Sequence, residues 1–211
     1  MTDEAVPINR LERRKQRTRA ALIRAAQTLV AEGRGNVPVL EITKAADVGM
    51  GSFYNHFDSK EQLFEAAVAD VLDTHGALLD DLTSEMDDPA EIFAASFRLT
   101  GRFFRRRPQE SRILLASWGT FLTSSRGLGP RALRDINAAV DAGRFHTDDP
   151  ARALAMAAGV LLGLGSLLHS DPRRDDGVTA DAMTEDVLRL FGMTAEDAHE
   201  VCSRPLPELQ A

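Results

Sequence analysis

Residues 39–60 carry a concentration of side chains that form hydrogen bonds with polyanions or with planar bases. Three of them have donors that suit phosphate oxygens: Tyr54, His56 and Lys60. Asn55 can pair with adenine through two hydrogen bonds, and Met50 can cover a thymine methyl group. Gly51 and Ser52 have short side chains, so a helix that carries them can approach a duplex closely. The segment therefore predicts an element that reads DNA.

A helix-turn-helix would position these side chains. Such a motif needs small residues where its two helices meet at a sharp angle, and Ala45, Ala46 and Gly49 supply them. Phe53 and Phe57 are four residues apart, so they share one side of the second helix and are expected to anchor it. The alternative is an aromatic core helix without a partner, but that interpretation leaves the polar side chains beside the two phenylalanines unexplained.

The stretch Gly-Ser-Phe-Tyr-Asn-His-Phe-Asp-Ser-Lys-Glu-Gln-Leu-Phe, Gly51 to Phe64, resembles the DNA-binding domain of the TetR family of transcriptional regulators. The resemblance extends from about residue 15 to residue 69 and is only architectural beyond. It implies phosphate contacts by Tyr54, His56 and Lys60. It also implies base-facing positions at Met50, Gly51, Ser52 and Asn55. Lys44 completes the predicted DNA-binding set.

The entry to the motif departs from the family pattern at two positions. Pro38 stands where a Thr or Ser cap is usual, so Asn36 is expected to cap one turn early. Leu40 stands where a basic residue is common, which removes one phosphate contact. These departures keep a second interpretation open, in which the chain is a helical protein-interaction module with weak, non-specific DNA binding.

Charge is distributed unevenly along the chain. The net charge is −7, yet residues 1–60 carry +3 and the remainder −10. This predicts a basic contact surface joined to an acidic body, although charge also fluctuates along any chain. A basic arm before the first helix either stays solvated or reaches phosphates, where it would add salt-sensitive affinity. Its candidate residues are Arg13, Arg14, Lys15 and Arg17.

Helical periodicity runs through the sequence and strand patterns are scarce, so the predicted fold class is all-α. About nine helices are expected, near residues 11–32, 39–46, 50–57, 60–84, 89–107, 109–122, 130–142, 149–169 and 179–191. Residues 11–60 form the predicted DNA-binding domain and residues 61–200 a larger ligand-binding and dimerisation domain. Residues 1–10 and 201–211 are predicted to be flexible ends.

Two features of the body suggest a dimer. One helix-turn-helix reads a single half-site, so two units about 34 Å apart, or a multiple of that, give better specificity. The apolar helix at residues 153–168 has two apolar stripes, one for the core and one for a partner, unless it is wholly internal. With the resemblance, the predicted homodimer interface includes Leu161, Gly165, Leu168, Val187 and Leu190.

Aromatic residues are concentrated in the middle helices, where the resemblance implies an inducer cavity. Most of them are expected to be core. A small apolar or amphipathic effector would bind between such walls, with polar groups such as Thr100, Arg102, Ser117 or Thr120. The predicted pocket residues are Phe97, Thr100, Phe104, Trp118 and Phe121.

Other classes of function find little support. The five histidines are scattered without a metal-binding or catalytic spacing, and the acidic pair Asp80-Asp81 is interpreted as solvated charge. We therefore expect no enzymatic activity, catalytic residue, cofactor or metal site. A single cysteine, Cys202, argues against a disulfide framework, and no segment predicts secretion or a membrane span. The sequence predicts a cytoplasmic, ligand-responsive repressor that binds a palindromic double-stranded operator as a homodimer.

Overall fold

The computed structural model describes residues 10–116 and 126–208, and it contains helices and no strand over these residues. The helices are α1 Arg10–Ala31, α2 Val39–Ala45, α3 Met50–Tyr54, α4 Lys60–Leu82, α5 Pro89–Arg106, α6 Pro108–Ala116, α7 Leu128–Asp141, α8 Pro150–Ser170, α9 Asp176–Leu190 and α10 Ala195–Ser203. The chain divides into two compact units, Met1–Val68 and Ala69–Ala211. The all-α prediction is confirmed.

Helix starts follow the capping rules. The Asp88 carboxylate accepts a hydrogen bond from Ala90 N, and that of Asp149 accepts one from Arg152 N, each just before a proline that opens its helix. At the start of α4, the Ser59 hydroxyl accepts a hydrogen bond from the backbone N–H of Gln62. These side chains satisfy N–H groups that the first helical turn leaves without partners.

The first unit packs α1, α2, α3 and the start of α4 around one apolar core. Its most buried members are Leu22, Ala26, Ile42, Phe53, Leu63 and Ala67. Because α2 and α3 are short, their stability depends on this packing rather than on helix propensity.

In the second unit α5 is the central helix and packs against α7, α8 and α9. Its amino-terminal half holds Phe93, whose ring lies 5.6 Å from that of Phe145 and 5.5 Å from that of Phe191. Further along, Gly101 allows close helix contact, because a Cβ there would lie 2.5 Å from the Cβ of Ala180. Core side chains therefore pack against both the first and the second half of α5.

Several helix boundaries differ from those predicted. α3 ends at Tyr54, so Asn55 and His56 follow the helix. α9 begins at Asp176, because Asp175 caps it by accepting from Val178 N. α6 is described only to residue 116. The basic residues predicted as an arm lie within the first three turns of α1 and are exposed there: Arg13, Arg14, Lys15 and Arg17.

The described chain continues past residue 194 into a further helix, which includes residues 201–203 of the end that was predicted to be flexible. It forms α10, capped by Thr194, and Val201 and Cys202 are buried. Arg98 Nη1 donates a hydrogen bond to the carbonyl of Arg204 at 2.9 Å. This buried arginine therefore ties the carboxy-terminal segment to α5, through a contact that periodicity cannot reveal.

Most of the predicted dimer residues face the core of the second unit and not its surface. Leu161, Leu168 and Val187 are buried inside the second unit. Gly165 is also internal, since a Cβ there would lie 2.7 Å from Leu115 Cδ2. Leu190 alone of the five is exposed, at 57%. The stripe chosen from the sequence lies in the core. Apolar positions of the other predicted stripe, such as Ala153, Ala157 and Leu164, are buried as well, so the exposed side of α8 matches neither stripe.

The apolar helix α8 is long and apolar enough to cross a membrane by length and composition. Its inward stripe, which includes Ala153, Leu164 and Leu168, is buried in the second unit. A core helix of a globular unit has these properties as well.

Candidate nucleic-acid interface and effector cavity

The turn between α2 and α3 is tight and internally bonded. Ala46 N donates to Ile42 O, and Val48 N donates to Thr43 O at 3.0 Å. Asp47 takes the left-handed conformation, with φ of 53°, which aspartate tolerates better than most residues. The turn places the start of α3 directly after α2, as the spacing of small residues predicted.

The inner side of α3 is fixed by its two phenylalanines. Phe53 is fully buried, Phe57 nearly so, and their ring centroids are 6.1 Å apart. The outer side is open: Tyr54 is 60% exposed and Met50 44% exposed. A Cβ built on Gly51 would meet no atom within 4 Å, so a partner can approach the backbone there. This short helix presents one free face to a ligand as large as a duplex.

The remaining predicted contact residues surround this face. Lys44 is exposed near the end of α2, while Ser52 is half-buried in α3. Asn55 is the C-cap of α3 and is exposed. Asn55 therefore lies at the carboxy-terminal rim of the helix, because α3 is shorter than the predicted span.

His56 lies in a positively charged environment supplied by α1. Its pKa is lowered by partial burial first and then by the charges of Lys15 and Arg19. The guanidinium of Arg19 also lies 5.3 Å from the centre of the Phe57 ring. A phosphate beside His56 would meet this whole group of cations, so α1 contributes to the same surface as α3.

The entry to the motif differs from the predicted capping. Pro38 is the N-cap of α2 and makes no side-chain bond. Asn36 does not cap the helix; its Oδ1 accepts a hydrogen bond from Lys60 Nζ at 2.5 Å. Leu40 is 49% exposed. Lys60 is therefore held at the surface by Asn36 before any DNA is bound.

The second unit has a pocket that is partly open to solvent. Its walls are mainly apolar and include Leu79, Phe93, Phe97, Leu128, Ala132 and Leu161. Polar groups lie on its remaining sides: Asp80, Ser96, Thr100, Arg131 and Asp135. An apolar cavity with a few convergent polar groups is the usual form of a small-molecule site.

The charged groups of the cavity form one network between α4 and α7. Asp80 accepts hydrogen bonds from Arg131 Nε at 2.7 Å and from Arg134 Nη2 at 2.9 Å. Arg134 Nε also donates to Asp135 Oδ1 at 2.8 Å. Burial tends to raise the pKa of Asp80, but the two arginines outweigh it and lower the pKa. Asp135 is more buried, and desolvation raises its pKa despite Arg134.

Beneath the cavity, His75 is 2% exposed and its Nε2 lies 3.0 Å from Thr100 Oγ1. The Thr100 hydroxyl donates to Ser96 O at 2.8 Å, so His75 Nε2 is the donor in the first contact. The buried Nδ1 of His75 has no hydrogen-bond partner among the residues that the structure describes. Burial lowers the pKa of His75 to about 4, so its imidazole is neutral at pH 7.

Two of the five predicted pocket residues lie at this cavity. Phe97 and Thr100 line the cavity, whereas Phe104 packs in the core, where its Cζ would lie 3.0 Å from a Cβ on Gly165. Trp118 and Phe121 lie outside the described residues, as do Ser117 and Thr120. Arg102 binds Asp181 instead. No sequence pattern marks the group of Asp80, Arg131 and Asp135, because its members come from two helices.

Comparison with known proteins matches both units. The model of bacterial regulatory proteins of the tetR family matches residues 22–67. The tetracyclin repressor-like C-terminal domain matches residues 88–204, more than half of the chain. The chain belongs to the TetR family. TetR-family regulators are DNA-binding transcription factors, so the helix-turn-helix of α2 and α3 is the DNA-binding motif of a transcriptional regulator.

Two solved structures of the regulator RolR resemble this TetR-family chain over most of its length. RolR without ligand is 38% identical and covers 91% of this chain and 100% of its own, with a TM-score of 0.71. RolR in complex with resorcinol is 35% identical and covers 94% and 99%, with a TM-score of 0.66. The likeness therefore includes both the DNA-binding unit and the unit with the cavity.

A curated relative is the HTH-type transcriptional repressor KstR2 of Mycolicibacterium smegmatis, 36% identical over 84 residues. This match spans 37% of the present chain and 41% of that repressor. The structure of NalD, the secondary repressor of a multidrug efflux pump in Pseudomonas aeruginosa, is 22% identical with a TM-score of 0.60, over 83% and 96% of the two chains. That likeness shows the shared fold.

Proposed function

We propose that this TetR-family repressor binds a palindromic operator as a homodimer and releases it when a small hydroxylated aromatic molecule enters the cavity. The observation that carries the proposal is an apolar cavity, with aromatic walls from Phe93 and Phe97, that contains the buried carboxylate of Asp135.

DNA binding rests on the exposed face of α3. Met50, Gly51 and Ser52 face the bases, while Tyr54 and His56 bind phosphates at the rim of the major groove. Asn55, at the end of the helix, reads a base edge, and Lys44 and Lys60 hold the backbone on either side. The exposed basic residues of α1 add affinity that falls with salt concentration.

Dimerisation uses the outward stripe of α8. Ala155, Gly159, Gly163 and Ser166 are exposed at helical spacing, and a Cβ on either glycine would meet no atom within 4 Å. Two such stripes can approach closely because their side chains are small. On α9, exposed Leu190 adds apolar surface. This face takes the place of the buried residues that the sequence suggested.

The effector class follows from the chemistry of the cavity and from RolR. Aromatic and aliphatic walls suit a flat apolar ring, and Asp80, Asp135 and Thr100 offer oxygen atoms that accept hydrogen bonds from hydroxyl groups. RolR, a relative with the same architecture, is known in complex with resorcinol, a dihydroxybenzene. Ligand binding lowers operator affinity only by the ligand's differential affinity for the two states of the protein.

We assign the protein no enzymatic role and place it in the cytoplasm with the DNA. Within the described residues, no three His, Cys, Asp or Glu side chains form a group that could hold a metal ion. The charged residues of the cavity are paired with one another, which suits recognition of a neutral ligand.

DNase footprinting on the DNA that flanks the protein's own gene tests the DNA-binding part. We expect protection of two half-sites related by a dyad, with major grooves about one helical turn apart or a multiple of that. Gel-shift titration over a salt series then separates specific from general binding. Weak binding with a steep salt dependence and no sequence preference would instead favour a protein-interaction module.

A further inference from the structure

Gly76 lies in the middle of α4 and is buried. Glycine destabilises a helix interior relative to alanine, so its presence calls for a packing reason. A Cβ at this position would lie 2.8 Å from Arg131 Cδ and 3.0 Å from both Nε and Nη1 of the same side chain. The nearest neighbours that an added side chain would meet all belong to Arg131.

Arg131 lies along α4 at this point. Its Nε donates to Asp80 Oδ2 at 2.7 Å, and its Nη1 is 3.7 Å from Asp73 Oδ1. The same Nη1 donates to the carbonyl oxygen of Gly127 at 2.9 Å. Asp73, Gly76 and Asp80 are spaced by three and four residues, so they share one face of the helix. The guanidinium therefore crosses the helix at the glycine, between the two carboxylates.

We propose that Gly76 is a positioning residue for the effector cavity, because its missing side chain lets Arg131 lie against α4 and hold Asp80. This inference rests on the proposed function, since both Arg131 and Asp80 line the cavity. An alanine at position 76 displaces the end of a flexible side chain rather than a backbone segment. We therefore expect the fold to tolerate the substitution, while Arg131 no longer holds Asp80 in place in the polar wall of the cavity.

A double-mutant cycle on the full-length protein tests the contact without any ligand. In the Arg131→Ala background, Gly76→Ala is expected to raise the Tm by about 2–4 °C, because only the gain in helix propensity remains. In the wild-type background the rise is smaller or becomes a loss, since Arg131 gives up its bonds to Asp80 and Gly127. Equal shifts in the two backgrounds would overturn the inference.

Isothermal titration with resorcinol tests the consequence for the cavity. We expect Gly76→Ala to weaken resorcinol binding at least tenfold, Arg131→Ala to do the same, and the double variant to bind no worse than Arg131→Ala. Thr74→Ala is the matched control, because Thr74 is exposed on the same helix and alanine gives a similar gain in propensity. Wild-type affinity in Gly76→Ala would overturn the inference.

The two arms separate failure of this inference from failure of the proposed effector. A wild-type protein that does not bind resorcinol contradicts the effector class and removes the consequence for binding. The stability cycle still decides whether Gly76 positions Arg131. Conversely, equal resorcinol binding by the wild type, Gly76→Ala, Arg131→Ala and the double variant leaves the effector class intact and overturns the role of Gly76.

Discussion

The ring of Tyr54 packs against Phe53, whereas its hydroxyl is the group that we expect to contact DNA. Its ring lies edge-on to Phe53, with centroids 5.2 Å apart and planes at 79°, while the residue is 60% exposed. Tyr54→Phe keeps the ring and removes the hydroxyl. We expect about a tenfold loss of DNA affinity, of similar size on operator and unrelated DNA, because a hydrogen bond to a charged group contributes about 1.5–3 kcal/mol.

Fluorescence anisotropy with labelled duplexes measures this loss, and thermal unfolding checks that the variant is as stable as the wild type. If Tyr54→Phe bound both duplexes as tightly as the wild type does, Tyr54 would have no phosphate contact. If only the operator were affected, the residue would take part in base reading instead.

His75 makes the stability of the second unit sensitive to acid. Its pKa is lowered by burial to about 4, from 6.5 in the unfolded chain. Below pH 6.5 the unfolded state therefore binds a proton that the folded state refuses, and stability falls as the pH drops towards 4. At pH 5 this contribution is about 2 kcal/mol, using 1.36 kcal/mol for each pKa unit.

Urea unfolding at pH 7 and pH 5 measures this effect in the wild type and in His75→Phe. Between the two pH values the wild type should lose about 2 kcal/mol more than the variant, which has no imidazole to protonate. The lost bond to Thr100 lowers the free energy of unfolding of the variant by the same amount at both pH values. Comparing the change between the two pH values therefore removes this cost. Equal losses in the two proteins would show that His75 is protonated as easily in the folded state as in the unfolded one.

At the scale of elements, the sequence predicted what local chemistry determines. Helix starts are marked by side chains that bond to backbone N–H groups two or three residues away, as at Asp88, Asp149 and the pair Ser59 and Gln62. The spacing of these residues was therefore sufficient to predict where the helices begin. The cavity network was not predictable in this way. Asp80 and Arg131 are 51 residues apart in the sequence, and each alone has the appearance of a solvated charge until α4 and α7 pack together.

The apolar helix α8 illustrates a second limit. Its sequence is apolar on more than one side, and period alone does not say which side of the helix stays exposed. The choice is made by neighbours from elsewhere in the chain, such as Phe104, which packs where Gly165 leaves room. The outward stripe is therefore the one with open glycines, Gly159 and Gly163.

Gly163→Glu tests this assignment of the dimer face. A carboxylate on the outward stripe would be buried without a partner in the dimer, whereas in the monomer it meets open space. We expect the variant to sediment as a folded monomer in analytical ultracentrifugation at concentrations where the wild type is a dimer. Gly35→Glu adds the same charge at an open position in the first unit and should remain a dimer.

A dimeric Gly163→Glu protein would place the interface elsewhere. Loss of helical circular dichroism in the variant would show that Gly163 is needed inside the unit. The helix content therefore has to be measured alongside the sedimentation.

At the scale of the whole molecule, the two parts of the chain differ in the sign of their net charge. Residues 1–60 carry +3 and the rest −10, although the net charge of −7 alone would argue against a polyanionic partner. The basic residues of α1, together with Lys44 and Lys60, belong to the first unit, and α4 includes residues of both units. Asp80 lies on α4 and Asp135 on α7, so under the proposed function the ligand would contact a helix whose first residues belong to the DNA-binding unit.

The most direct test of the account is operator release by a dihydroxybenzene. A labelled operator fragment, taken from the footprinted region, is bound by the full-length protein and titrated with resorcinol while anisotropy is recorded. The account predicts that resorcinol dissociates the wild-type complex, and that Asp135→Asn binds the same fragment but needs at least tenfold more resorcinol for release. A wild-type complex that stays intact at saturating resorcinol, or an Asp135→Asn complex released as readily as the wild type, would contradict it.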